Sequence, residues 1–595
     1  MRRRTFLATL PAAAAASASA ASPGTPSAGA PPTLMTGAKR PDIHGGDRIA
    51  GESFASRSTV WGAHGAAATA HPLATLTAID ILRAGGSAVD AAIAANAALG
   101  FLEPISCGVG GDCFAMVWDP KAGKLAGLNG SGRSPRSLSL ETQRARAKKG
   151  FIAPFGAVSV STPGAVDAWW TLHQRYGRLK WAELFAPAID LAQHGAPVPQ
   201  TIAHYLAVSL RAFTRPGAGI EEVENFKKVW APEGRAPAEG EMFANPALAH
   251  TYRLIAQGGR EGFYGGEAAD VIDAYFKRIG GWLSRSDLAA HHSQWVEPRS
   301  TNYRGVDVWA LPPNSQGLST LQILNILERF DLKAMGFQST ASLHTQIEAK
   351  RLAFEDRARY FADPDFAKLP IDWLISKSYA AERATLIRPD RILTPVHAGE
   401  APSHGDTTYL CTADADGMMV SIIQSNYRGM GSGLSPDGLG FMFQDRGELF
   451  SLRDGDANLY APGKRPFQTI IPGFATRGGE PWLAFGVMGG DMQPQGQAQI
   501  IVNLVDYGLG LQAAGDSPRW HHEGSSEPTG EAGVGIGTLR LESGAPEATR
   551  QGLAALGWKF EPSDGGYGGY QAIERWPGGL AAASEMRKDG MALAY

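Results

Sequence analysis

From Pro72 to Arg83 apolar residues recur at helical spacing, with Leu73, Leu76, Ile79 and Leu82 on one face, and Gly85-Gly86 ends the run. Ser87-Ala88-Val89-Asp90 has the side chains of a capping box and opens a second helix, rich enough in alanine to pack closely. An apolar strand is predicted from Phe114 to Trp118. The stretch Cys107-Gly-Val-Gly-Gly-Asp-Cys113 precedes that strand instead of opening a helix and has no Lys-Ser/Thr after it, so it predicts a tight turn and not a phosphate loop. Two further helices are predicted at Leu318 to Phe330, with Leu321, Leu324 and Leu327 on one face, and at Ser342 to Phe361, stopped before Asp363-Pro364.

Between Arg391 and Asp406 turn formers replace periodicity, which predicts an accessible loop. Thr407 to Ala413 and Met418 to Ser425 then read as two strands around Asp414-Ala-Asp-Gly417. A three-residue turn with Gly417 in the left-handed position sets Ser425 opposite Thr407, whereas a two-residue Asp416-Gly417 turn sets Asn426 there. Opposed Cβ atoms lie about 4.5–5.5 Å apart, so either residue could hydrogen-bond Thr407. Helices and strands interleave over the whole length without a repeat, which favours a layered α/β fold.

A loop running into a strand that begins with threonine has a chemical use. A threonine hydroxyl needs a base, and a free α-amino group on the same residue, with a reference pKa of about 7.7–8.0, can serve. That requires scission of Asp406–Thr407, most simply by attack of the Thr407 hydroxyl on the Asp406 carbonyl. Farther along, Phe485-Gly-Val-Met-Gly489-Gly490-Asp491 ends an apolar run in two glycines whose amides can approach an oxyanion. Taken alone, that pair is more often a plain turn.

The 595 residues are 44% hydrophobic and 19% charged, a globular balance, and a net charge of -3 offers no broad basic surface for nucleic acid. A small-molecule amide is the expected partner. Arg3-Arg4-x-Phe6-Leu7, an alanine-rich apolar run and Ala18-Ser19-Ala20 form a twin-arginine export signal over residues 1–20, followed by a Pro/Gly/Ser/Ala-rich leader over 21–48. A periplasmic or secreted protein without a membrane anchor is expected. Cys107 and Cys113 could bridge or remain as buried thiols, and Cys411 completes a set too small for a disulfide framework. The pairs His291-His292 and His521-His522 lack a metal-site motif, so neither a metal nor any cofactor is expected. The Gly-x-Ser-x-Gly elbow of a serine hydrolase is missing too.

Ile79 to Ala92, Gly108-Val-Gly-Gly111, Ser161-Thr-Pro-Gly-Ala165, Leu311-Pro-Pro-Asn-Ser-Gln-Gly317, Asp363-Pro-Asp365, Asp406-Thr407-Thr408-Tyr409, Asp416-Gly417 and Gly463-Lys-Arg-Pro466 occur in an order that resembles the γ-glutamyltranspeptidase family of N-terminal-nucleophile hydrolases. The resemblance implies an αββα sandwich and a precursor cut into a large subunit, 49–406, and a small one, 407–595, that share one core. It further implies catalysis by Thr407, with Ser425 as the supporting hydroxyl and Gly489-Gly490 as the oxyanion pair.

The substrate pocket departs from the family pattern. Ser131 stands where the best-known members hold the glutamyl α-carboxylate with arginine, Leu449 replaces the acid that holds the α-amino group, and Gln468-Thr469 replace paired serines. Arg133, Arg428 and Arg446 could supply a substitute cation, although surface ion pairing is the commoner fate of arginine. Asn426, Gln468 and Thr469 complete the expected substrate-binding set. The pattern looks more like members acting on oxamate- or glutaryl-type amides. Against both enzymatic readings, the amidohydrolase/acyltransferase for γ-glutamyl or related small acyl amides that the resemblance implies and its oxamate- or glutaryl-type alternative, stands an exported binding protein that is never processed.

Overall fold

Long strands with apolar residues on both faces have to be covered on both faces. In the computed structural model two seven-stranded antiparallel sheets stack on each other and carry helices outside, the αββα arrangement. The structure describes residues 46–48, 51, 52, 54–397, 406–563 and 565–595, with backbone only for Asp406 and Thr407. The export signal and most of the leader lie outside the described residues. The leader's last residues do not: Asp47 accepts from Lys588 and Arg48 pairs with Asp589.

One sheet runs in the order Val60–Gly62, Gly579–Ser584, Tyr570–Trp576, Glu480–Val487, Gly473–Arg477, Val306–Ala310, Arg299–Tyr303. The other runs Met591–Ala594, Ala66–Thr69, Asp406–Ala413, Met419–Tyr427, Asp112–Asp119, Lys124–Gly130, Gln294–Val296. Both sheets combine strands from before and after the 406–407 bond, so the two predicted subunits share one core. Phe114, Met116, Tyr409 and Ile423 of the second sheet meet Phe474, Ala484 and Ile573 of the first in the inter-sheet layer.

The helices follow from their local chemistry. Ser87 and Asp90 form the expected capping box for Ala88–Leu102, whose side chains are all buried against the second sheet. Its alanines let helix and strands approach closely. Gly317–Leu327 and Thr340–Tyr360 cover the first sheet, where Leu321, Leu324 and Phe354 join one cluster with Leu483 and Phe485.

The predicted tight turn at Gly108–Gly111 closes with Gly111 N–H donating to Gly108 O. It has to be made of glycine, because a Cβ on Gly111 would lie 2.5 Å from Ser425 O and 2.7 Å from Asn426 Oδ1. Gly111→Ala is therefore expected to lower the urea unfolding free energy by about 1–3 kcal/mol through overpacking. Gly258→Ala, whose Cβ would meet nothing within 4 Å, is expected to change it by less than about 0.5 kcal/mol.

Candidate active site

The hairpin pairs Ala413 with Met419 and keeps one register as far as Thr408 opposite Gln424, which is the register of the three-residue turn. It then shifts, because Asp406 pairs with Tyr427 and not with Asn426. The backbone of Thr407 thus faces two residues, Ser425 and Asn426, across a β-bulge. Both alternatives read from the turn are present at once, and a bulge of this kind re-aims side chains. Tyr427 follows with φ of 79°, rare for a bulky residue. Its N–H donates to Ser425 Oγ at 2.8 Å and orients that hydroxyl. Asn426 donates its N–H to Ser106 O, and its Oδ1 is buried with no hydrogen-bond partner among the described residues.

Gly489 and Gly490 have φ of 113° and 55°, a conformation that suits glycine. Among the described residues neither glycine N–H is engaged as a donor. The loop is held from behind: the Gln316 amide donates to Gly490 O at 2.9 Å and to Thr469 O at 2.6 Å. Buried Arg357 donates to Gln316 Oε1 and to Asp491 Oδ1, which ends the glycine pair, and it also pairs with Glu527. Fixed backbone donors of this sort can stabilise a developing oxyanion without reorganising.

A buried polar network joins this loop to the bulge. Arg446 donates from Nη1 to Thr469 Oγ1 at 2.8 Å, and its guanidinium lies 4.9 Å from the centre of the Tyr427 ring. Gln468 donates to Asp112 Oδ2 at 2.6 Å, and Gly132 N–H donates to Oδ1 at 2.8 Å. Ser131 donates to Asn129 Oδ1, and Leu449 is wholly buried in an apolar cluster. Burial pulls the Arg446 guanidinium down to about 10, against the pull of Asp112, so it remains a cation at neutral pH. Burial also pushes Asp112 up to about 6, against Arg446 and its hydrogen-bond donors. Asp445, buried beside Glu448, is driven well above the usual carboxylate range.

The other two candidate cations are otherwise committed. Arg133 pairs with Asp365 at 2.9 Å, and Arg428 pairs with Glu448 at 2.6 Å. Arg133, expected from the sequence among the substrate-binding residues, is one side of this ion pair. Cys107 and Cys113 are both buried free thiols in this structure. His291 stacks on Tyr264, and His522 contacts Ile536 O through Nε2 and Lys350 through Nδ1.

Comparison with known proteins accounts for this arrangement. The family model described as gamma-glutamyltranspeptidase matches residues 74–595. The chain belongs to the γ-glutamyltranspeptidase family. It is 36% identical over 452 residues to the glutathione hydrolase-like YwrD proenzyme of Bacillus subtilis, covering 76% of this chain and 83% of that one. It is 32% identical to the oxamate amidohydrolase proenzyme of Klebsiella pneumoniae, covering 89% and 98%. The solved cephalosporin acylase of Bacillus halodurans superposes with a TM-score of 0.84 at 42% identity, covering 91% and 97%. The protein is accordingly an enzyme, from a family of self-cleaving amide hydrolases and acyltransferases that are made as precursors of two subunits.

Within this member of the γ-glutamyltranspeptidase family, the residues that sequence reasoning did not single out are Asp112, Gln316, Arg357 and Tyr427. Asp112 and Gln316 sit at the ends of glycine-containing motifs that were recognised, and that adjacency was the available signal. Asp112 carries a pH signature. With its folded pKa at about 6 and its unfolded pKa at about 3.9, the native state holds the extra proton, so the stability from this group is full below pH ~4 and is lost as pH rises through ~6. Asp112→Asn should therefore flatten the fall in urea unfolding free energy between pH ~4 and ~7, by up to about 3 kcal/mol.

Proposed function

We propose that the chain cuts itself between Asp406 and Thr407, and that the freed Thr407 is the nucleophile of an amidohydrolase for small acyl amides. The observation that carries this reading is the bulge, which sets Ser425 and Asn426 across from the Thr407 backbone and is linked through Tyr427, Arg446, Thr469 and Gln316 to the Gly489-Gly490 loop. In the first step the Thr407 hydroxyl attacks the Asp406 carbonyl, the C–N bond breaks to give an ester and a free α-amine, and water hydrolyses the ester to the Asp406 carboxylate and the free hydroxyl. That amine then takes the Thr407 hydroxyl proton as the oxygen attacks the substrate carbonyl. Gly489 and Gly490 donate to the oxyanion, the amine protonates the leaving nitrogen, and water releases the acyl group. Ser425 hydrogen-bonds the nucleophile.

Substrate choice follows from the pocket. Leu449 places an apolar side chain where an α-ammonium would need an acid, and Ser131 is a short neutral side chain already engaged with Asn129. An ammonium brought there would lose its partners, which strongly disfavours a γ-glutamyl group. Relatives and structures named for acylase and oxamate amidohydrolase activities support simple acyl amides instead. The export signal supports action in the periplasm or outside the cell.

Thr407→Ala is expected to stay a single chain with no amidase activity, whereas the wild type should show two chains on denaturing electrophoresis, one beginning Thr-Thr-Tyr-Leu by Edman sequencing. Normal two-chain processing in Thr407→Ala would refute the assignment. In a comparison of kcat/KM, glutaryl and oxamate-type amides should exceed the matching γ-glutamyl amide by at least about tenfold; preference for the γ-glutamyl donor would overturn the specificity reading.

A further inference from the structure

Seven arginines are buried among the described residues: Arg351, Arg357, Arg383, Arg446, Arg465, Arg519 and Arg587. Six have a carboxylate within 4 Å: Glu348, Asp491, Asp356, Asp363, Glu585 and Glu542 are respective partners. Arg446 alone has none. A buried cation without a counter-ion is costly, and folds keep one where it has a use.

Its hydrogen bonding shows what is missing. Nη1 is spent on Thr469 Oγ1, while Nε and Nη2 are buried without a hydrogen-bond partner among the described residues. These two nitrogens form one edge of the guanidinium plane, and their N–H groups point the same way. That edge is the fork that grips a carboxylate through two parallel hydrogen bonds. The plane is further fixed by the Tyr427 ring at 4.9 Å. Tyr427 pairs with Asp406, immediately before the proposed nucleophile.

The surrounding acids do not fill the role. Asp112 accepts from Gly132 N–H and Gln468 and lies beyond 4 Å of the guanidinium. Glu448 is paired with Arg428, and Asp445 accepts from Arg428 N–H and is held toward its neutral form by burial and by Glu448. An incoming carboxylate would supply the one contact that this guanidinium lacks.

We propose that Arg446 is the specificity residue that binds a carboxylate on the acyl group of the substrate, through Nε and Nη2. This rests on the amidohydrolase reading above and narrows its substrates to short acyl amides that end in a carboxylate. The cation has moved from the large-subunit position now occupied by Ser131 to a small-subunit position beneath the bulge. Arg446 is fully buried in the continuous chain.

The test compares glutaryl anilide with butyryl anilide, which has the same acyl backbone without the carboxylate. In the wild type kcat/KM should favour glutaryl, and Arg446→Gln should reduce the glutaryl-to-butyryl ratio by about 100-fold, with Arg446→Lys intermediate because it keeps charge but not the fork. Both variants should still yield a chain beginning at Thr407. An unchanged ratio in a processed Arg446→Gln enzyme overturns the proposal. If the variants do not process, wild-type turnover of butyryl anilide decides: glutarate should inhibit at concentrations at least about tenfold lower than glutaramide, and equal inhibition overturns the proposal. A wild type that processes normally but hydrolyses neither anilide sinks the amidohydrolase reading instead.

Discussion

The reactive end of this fold depends on a one-residue mismatch between two paired strands. From Ala413 opposite Met419 to Thr408 opposite Gln424 the hairpin is regular, and the turn is tied by Asp414, which accepts from the backbone N–H groups of Asp416 and Met418. A regular continuation would bury Ser425 as an ordinary rung. Instead the strand Met419–Tyr427 takes in an extra residue, so that two residues oppose one. Tyr427 absorbs the mismatch with a positive φ, a strain of about 1–3 kcal/mol that its surroundings must hold in place. They do so through its N–H bond to Ser425 Oγ and the arginine stacked on its ring.

The same hairpin marks how far the sequence could be read. Turn chemistry at Asp414–Gly417 carries its register, and the helices starting at Pro72, Ala88, Gly317 and Thr340 follow from periodicity and caps. Those are local properties, set within one turn of chain. The bulge was not legible, because either register puts a small polar residue opposite Thr407 and the choice of both depends on long-range packing. Part of that packing is Gly111, whose missing Cβ lets the turn lie against Ser425 O.

Charges in the pocket were the least legible part. Arg133, Arg428 and Arg446 are equivalent as letters, and only their partners separate them: Asp365 is 232 positions from Arg133 in the chain, while Glu448 is 20 from Arg428. The support for the glycine pair is equally non-local. Gln316 and Arg357 lie 174 and 134 positions before the groups they hold at Gly490 and Asp491. Sequence motifs pointed to the segments that meet at the site, but which atoms would be satisfied on meeting was a property of the assembled core.

On the proposed reading, the changes in the pocket make sense as a set rather than one at a time. Removing an arginine while keeping the acid opposite it would leave an uncompensated buried charge, costing several kcal/mol. Here the cation and the acid are both gone, as Ser131 and Leu449, and each replacement is satisfied, one by Asn129 and one by apolar neighbours. Such a pocket has lost its means of holding an ammonium and carboxylate on the same carbon. Arg446 remains as a cation on a different element, with one edge unpaired among the described residues. Recognition of one negative group, set beside the proposed nucleophile, is what that balance of charges permits.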